Sequence, residues 1–206
     1  MNAPLARPVY LCFEMAGTLM TPEEFDAVED YDDEYRYELI HGVLVVTPLP
    51  SEAEADPNQL LGYLLLSYQE HDPQGAVLDV TLPERYVRTA DSRRRADRVI
   101  WAGLGRLPDP ESDPPSITVE FVSRRRRDRK RDYEEKRREY LELGVAEYWI
   151  IDRFSRTLTV WRNTPGGAQE HVVQESETYT TALLPGFQLP LARLLAAADR
   201  WKKKQA

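Results

Sequence analysis

The stretch ITVEFVSRRRRDRKRDYEEKRREYLELGVAEYWIID, residues 117–152, decides the fold class of this chain. Ile117 to Val122 is a run of β-branched and aromatic residues interrupted only by Glu120, and it reads as a buried central strand. From Arg127 to Leu143 the composition favours helix, and Gly144 stands at the C′ position where a helix ends in a left-handed residue. Val145 to Ile151 is a second apolar strand, with Tyr148 and Trp149 as core residues. Asp152 to Arg156 is turn-like, and Thr157 to Trp161 completes a hairpin in which Trp161 packs across to the first arm.

Upstream, Arg98-Val99-Ile100-Trp101 is a short strand that begins directly after Asp97, and the pairs Ala76–Val80 and Glu84–Val87 are β-type. Asn58 to Glu70 carries leucines at 60, 61, 64 and 65 with Tyr68 continuing the stripe, which predicts an amphipathic helix. Tyr37 to Ile40 and Val43 to Val46 form a hairpin turning on His41-Gly42. Thr21-Pro22-Glu23-Glu24 has the signature of a helix N-terminus. Downstream, a strand near Glu170 to Gln174 and a helix from about Leu191 complete the chain. The economical reading is a loosely ordered lead-in over residues 1–18, one α/β domain over 19–195 with a mixed sheet and flanking helices, and a frayed basic tail over 196–206.

The 206 residues are 42% hydrophobic, enough for an ordinary core. No apolar run approaches the roughly 20 residues of a membrane helix, and the N-terminus lacks the layout of a secretory signal, so a cytoplasmic protein is expected. One cysteine and three histidines exclude an intrachain disulfide and a Cys/His zinc cluster. The net charge of −8 argues against a nucleic-acid partner until it is divided along the chain. Residues 88–138 carry 16 basic and 10 acidic side chains, net +6, which leaves net −14 elsewhere.

Asp97 and Glu120 sit at the edge of, and within, strong strand signals, where a carboxylate is costly unless paired, hydrogen-bonded or bound to metal. Two neighbouring strands could bring them together around a hard cation such as Mg²⁺, with the Phe121 backbone carbonyl as a third protein ligand. Equally, Glu120 could pair with a core arginine while Asp97 merely ends a loop. Asp132, Lys136 and Tyr140 recur at four-residue steps on one helical face, which is either an i,i+4 salt bridge or a lysine held over the metal. Of the five lysines, three are in the terminal tail and Lys130 is in the arginine run, so Lys136 is the one to choose.

Five blocks in order, RYELIHGVLVV (36–46), RADRVI (95–100), ITVEFVS (117–123), DYEEKRREY (132–140) and GVAEYWIID (144–152), resemble the Uma family of restriction-endonuclease-like proteins and through it the PD-(D/E)XK nuclease fold. The resemblance implies that Asp97 and Glu120 are metal-binding carboxylates and that Lys136 is a displaced catalytic lysine. Position 122, where the Glu-x-Lys form of the motif has lysine, is Val122. Glu38 matches the acidic residue that often completes such sites, although pairing with an arginine is an equal reading. Ala96 replaces the usual proline before the aspartate, and SEAEADPNQL (51–60) lacks a histidine that many members show.

The run RRRRDRKR (124–131) follows the proposed metal ligand, and its Arg124, Arg125, Arg126, Arg127, Arg129 and Lys130 are expected to contact phosphates. Ser123 could support a site residue or simply end the strand. The expectation is a Mg²⁺- or Mn²⁺-dependent endonuclease acting on nucleic acid, DNA before RNA, and able to work as a homodimer. The alternatives are a binding module of the same fold that has lost turnover, and an interaction domain whose aromatic hairpin, Tyr148 to Trp161, is a homodimer face.

Overall fold

The computed structural model describes residues 10–123 and 131–201, which gather into two compact units. One comprises residues 10–49 with 88–95, and the other residues 50–87 with 96–123 and 131–201. Among the described residues no helix is long and apolar enough to cross a membrane.

In the smaller unit, part of the segment expected to be a loose lead-in is ordered: β1 (Tyr10–Leu11) pairs in parallel with β2 (Asp30–Tyr31). Between them lies α1 (Pro22–Asp26). Its start follows the sequence signature, since Glu24 N–H donates to Thr21 Oγ1 at 3.2 Å and Thr21 N–H donates to Glu24 Oε2 at 2.8 Å. The predicted hairpin is present as β3 (Tyr35–Ile40) and β4 (Val43–Pro48). His41 and Gly42 both have positive φ, 48° and 76°, as a two-residue primed turn requires. Leu39 pairs with Arg93 on the other side of β3.

Asp26 ties this unit together. Its carboxylate accepts from Arg93 Nε at 3.0 Å and Nη2 at 2.8 Å, and also from Arg88 Nη1. Partial burial pushes the carboxyl up, but the hydrogen bonds and charges of Arg93 and Arg88 outweigh it and hold the group below its ordinary value. A carboxyl lowered by folding stabilises above its unfolded range and loses that contribution as pH falls through its folded value. The acid limb of an unfolding-against-pH profile is therefore expected to flatten in Asp26→Asn; a wild-type-shaped limb in that variant would refute the assignment.

In the larger unit, the element order is α2 (Glu52–His71), β5 (Leu78–Arg88, of which 78–87 belong here), β6 (Arg93–Ala102, of which 96–102 belong here), β7 (Ile117–Phe121), a π-helical turn (Arg131–Lys136), α3 (Arg137–Glu142), β8 (Glu147–Asp152), β9 (Thr157–Thr164), β10 (Gly167–Gln174), β11 (Thr178–Thr181), β12 (Leu184–Pro190) and α4 (Leu191–Asp199). The sheet runs β10, β9, β8, β7, β6, and β5 also pairs with β6. β7 and β8 are parallel, and the β6–β7, β8–β9 and β9–β10 pairs are antiparallel. β11 and β12 form a separate antiparallel ribbon.

Side chains alternate across the sheet with period two. One face carries Ile100, Ile117, Val119, Phe121, Trp149 and Ile151 into a core shared with α2, the β11–β12 ribbon and α4. The other carries Val99, Trp101, Tyr148 and Ile150 into a core with Val145 and with Tyr140 of α3. In the aromatic hairpin from Tyr148 to Trp161, Tyr148 and Trp149 are fully buried as the core residues expected, while Phe154 is exposed and Trp161 half-buried.

Two polar features are built into the first face. Glu147, at the start of β8, is 4% exposed and accepts from Trp149 Nε1 at 2.8 Å, Tyr179 Oη at 2.9 Å, Thr181 Oγ1 at 2.9 Å and Arg162 Nε at 3.1 Å. The carboxylate thus fastens β11 to the sheet. Arg98 points into the same face beneath α2, where burial lowers its guanidinium to about 10. A Cβ placed on Gly62 would lie 2.6 Å from Arg98 Nη2.

Alanine in place of a mid-helix glycine ordinarily stabilises by about 0.5–1 kcal/mol. At Gly62 the sign is expected to reverse, because Arg98 is held by three hydrogen bonds and cannot swing aside without losing them. Gly62→Ala should cost roughly 1–3 kcal/mol, the range for overpacking, measured by denaturant unfolding. A more stable variant would show that the guanidinium yields freely.

Candidate active site

The alternation that sends Arg98 into the α2 face sends Asp97 to the opposite one, together with Val99 and Trp101. β6 and β7 are antiparallel with Arg98 beside Val119, so one step further Asp97 lies across from Glu120. Both carboxylates therefore reach the α3 side of the sheet. Asp97 Oδ2 accepts from the Phe121 N–H at 2.7 Å, which fixes the aspartate against the strand that carries the glutamate.

Glu120 is 3% exposed and Lys136 is 2% exposed. Lys136 Nζ donates to Glu120 Oε1 at 2.8 Å, and Tyr140 Oη donates to the same oxygen at 3.2 Å. Glu120 Oε2 accepts no hydrogen bond among the described residues. Burial pushes the Glu120 carboxyl well above the ordinary carboxylate range; Lys136 opposes the shift, and the charges of Asp97 and Asp132 add to it.

The lysine arrives by an unexpected route. Residues 131–136 are not α-helical as the composition predicts but form a π-helical turn, and the α-helix proper starts at Arg137. A π turn is wider than an α turn and is found frequently at functional positions. It leaves Asp132 and Lys136 buried, with Asp132 Oδ1 4.0 Å from Lys136 Nζ, while Tyr148 Oη donates to the Asp132 carbonyl at 2.9 Å. Tyr140 and Tyr148 meet edge to face with centroids 5.2 Å apart. Asp132, Lys136 and Tyr140 thus share one inward side, as their spacing predicts, although the helix bearing them is irregular.

Among the described residues no three His, Cys, Asp or Glu side chains are close enough to form a ready metal cage. The donors present are two carboxylates on adjacent strands and the carbonyl of Phe121. That set suits a hard cation of the Mg²⁺ type, which takes one or two carboxylates and completes its shell with water and substrate phosphate. It does not suit a soft or tightly sequestered metal.

Glu38 lies in the smaller unit, 3% exposed, and its Oε1 accepts from the Arg95 N–H at 3.0 Å. Ser123 follows β7 and is half-buried. Arg124, Arg125, Arg126, Arg127, Arg129 and Lys130 lie outside the described residues. Asn58 and Arg98 were not anticipated from the sequence: Asn58 Nδ2 donates to the Asp97 carbonyl at 2.8 Å, and its Oδ1 accepts from Arg98 Nε at 2.8 Å. The strand register alone could have placed Arg98 on the face opposite Asp97, but nothing in the sequence pairs position 58 with position 97.

A family model, Uma2, described as "Putative restriction endonuclease", matches residues 22–192. Among solved structures, the crystal structure of a protein titled a putative nuclease belonging to DUF820, from Anabaena variabilis, matches with a TM-score of 0.67. The two are 15% identical, and the alignment covers 87% of this chain and 99% of that one. At that identity the match shows a shared fold. No curated protein matches the chain.

Proposed function

The chain belongs to the Uma2 family, and from that premise we propose that it is a nuclease that hydrolyses phosphodiester bonds with the help of Mg²⁺ or Mn²⁺, with DNA as its substrate. The observation that carries the reading is the meeting of Asp97, Glu120 and Lys136 on one buried side of the sheet, with one glutamate oxygen held by the lysine and the other without a donor among the described residues. Asp97, Glu120 Oε2 and the Phe121 carbonyl would hold the metal. When bound, such an ion lowers the pKa of a coordinated water and polarises the phosphate.

The protein residues divide the remaining work. Lys136 neutralises Glu120 and keeps a positive charge beside the carboxylates, where charge builds up on the scissile phosphate. Tyr140 shares the Glu120 oxygen with Lys136 and so fixes the rotamer of the glutamate. The Phe121 N–H does the same for Asp97. The basic run from Arg124 to Lys130 would track the phosphate backbone without reading sequence. This reading uses the larger unit alone; Glu38 has no part in it.

Purified protein incubated with plasmid and with single-stranded DNA, in Mg²⁺ and separately in Mn²⁺, tests the proposal. Cleavage by the wild type that disappears in Asp97→Ala is the expected result. Equal products from the two proteins in both metals would reject it.

A further inference from the structure

We infer that Asn58, on α2, is a positioning residue for Asp97. The inference rests on the proposed function and extends it to the face of the sheet away from the carboxylates. Asn58 is 7% exposed and makes two side-chain hydrogen bonds of opposite sense: Nδ2 donates to the Asp97 carbonyl at 2.8 Å, and Oδ1 accepts from Arg98 Nε at 2.8 Å. Only one setting of the amide satisfies both, because the flipped amide would put oxygen against oxygen and NH₂ against the guanidinium.

Arg98 makes that setting permanent. Its Nη2 donates back to the Asn58 carbonyl at 3.0 Å and its Nη1 to Thr81 Oγ1 at 3.0 Å, so the guanidinium grips both ends of the asparagine. Gly62, one turn further along α2, gives the guanidinium room to lie against the helix. Asp97 and Arg98 are adjacent on one strand and point to opposite faces. The peptide that carries the site carboxylate is therefore clamped from behind by a helix side chain, and the Phe121 N–H holds the carboxylate in front. By holding the main chain that carries the carboxylate, Asn58 sets the carboxylate's orientation and through it the affinity for metal, as outer hydrogen-bond partners of metal ligands do.

The test turns on Asn58→Asp. The aspartate keeps an acceptor for Arg98 and puts an oxygen in place of the donor to the Asp97 carbonyl, a repulsion at that one link that the added ion pair with Arg98 offsets in stability. A purely structural asparagine predicts an unchanged or raised thermal midpoint and unchanged metal binding. A positioning residue predicts a preserved midpoint with Mn²⁺ affinity, read by calorimetry, weakened about 10–100-fold, even though an added negative charge nearby would by itself favour the cation. The Mn²⁺ concentration for half-maximal cleavage should rise in step, and excess metal should restore much of the rate. Asn58→Ala, which removes both contacts without adding charge, should weaken Mn²⁺ in the same direction.

Thr81→Val, which removes one Arg98 contact and leaves both of its bonds to Asn58 in place, should bind Mn²⁺ as the wild type does. Wild-type Mn²⁺ affinity in both Asn58 variants, beside a wild type that binds and cleaves, overturns this inference alone. A wild type that binds no Mn²⁺ overturns the proposed function and the inference with it.

Discussion

A Glu120→Gln protein is expected to cleave DNA about a thousandfold or more slowly than the wild type at any Mg²⁺ or Mn²⁺ concentration. The substitution is close to isosteric. The glutamine carbonyl can still accept from Lys136 Nζ and Tyr140 Oη, as Glu120 Oε1 does now, so the local packing should persist. What disappears is the anionic oxygen on the other side, which becomes an NH₂ group facing where a cation would bind. Lys136→Met should lose less, about a hundredfold or more, because the carboxylates remain. It also removes the cation opposing Glu120's upward shift, so the glutamate takes up a proton more readily and the metal requirement rises as pH falls. Single-turnover cleavage, with circular dichroism to verify folding, checks both. Glu120→Gln activity within tenfold of wild type would remove the glutamate from the site.

The largest effect on stability is expected far from the proposed chemistry, at Glu147. Glu147→Ala strands the Trp149 indole N–H and the Tyr179 and Thr181 hydroxyls, which now donate to one carboxylate in the core. Arg162 is partly exposed and can turn to water, so the loss comes mainly from the three buried donors and the cavity. Roughly 3–5 kcal/mol is expected, seen as a fall of roughly 6–20 °C in the thermal midpoint for a unit of this size. Glu147→Gln, which keeps acceptors for part of the cluster, should cost less. A Glu147→Ala protein melting within a degree or two of wild type would mean that water already satisfies these groups.

That Asp97 and Glu120 reach one side of the sheet was legible because strand periodicity is a short-range rule, whereas their choice as candidate site residues came from the family resemblance. Asp97, Val99 and Trp101 must share a face, as must Thr118 and Glu120, and the adjacency of β6 and β7 does the rest. The Lys136 and Tyr140 spacing was legible in the same way. The beginning of α2 was not read: a helix from Asn58 is predicted, but it starts at Glu52, six residues earlier. The signal was present, since Ser51 and Glu54 have the spacing of a capping pair and Glu54 Oε2 accepts from the Ser51 N–H at 2.8 Å. Pro57 masked it by marking a break where the helix simply continues. Likewise the two short runs expected at Ala76–Val80 and Glu84–Val87 are one strand, β5, which continues through Pro83 from Leu78 to Arg88. The β11–β12 ribbon was missed because its residues alternate weakly and are ordered by tertiary contacts such as Tyr179 to Glu147. Asn58 and Arg98 stayed invisible for the same reason: partners 40 residues apart are chosen by the fold and not by any local pattern.

The π-helical turn bears on how this chain can tolerate change in length. An α-helix advances about 100° per residue, and a π turn absorbs one extra residue within a local bulge. Asp132 and Lys136 stand within that turn and Tyr140 in the α-helix that follows it. Were a single residue removed between 131 and 136, the turn could relax to regular helix, and the side chains before it would rotate by about that angle relative to Tyr140. The placing of Asp132 relative to Lys136 and Tyr140 is thus counted in residues but set by winding, which makes this short segment less forgiving of insertions and deletions than its charge-rich composition suggests.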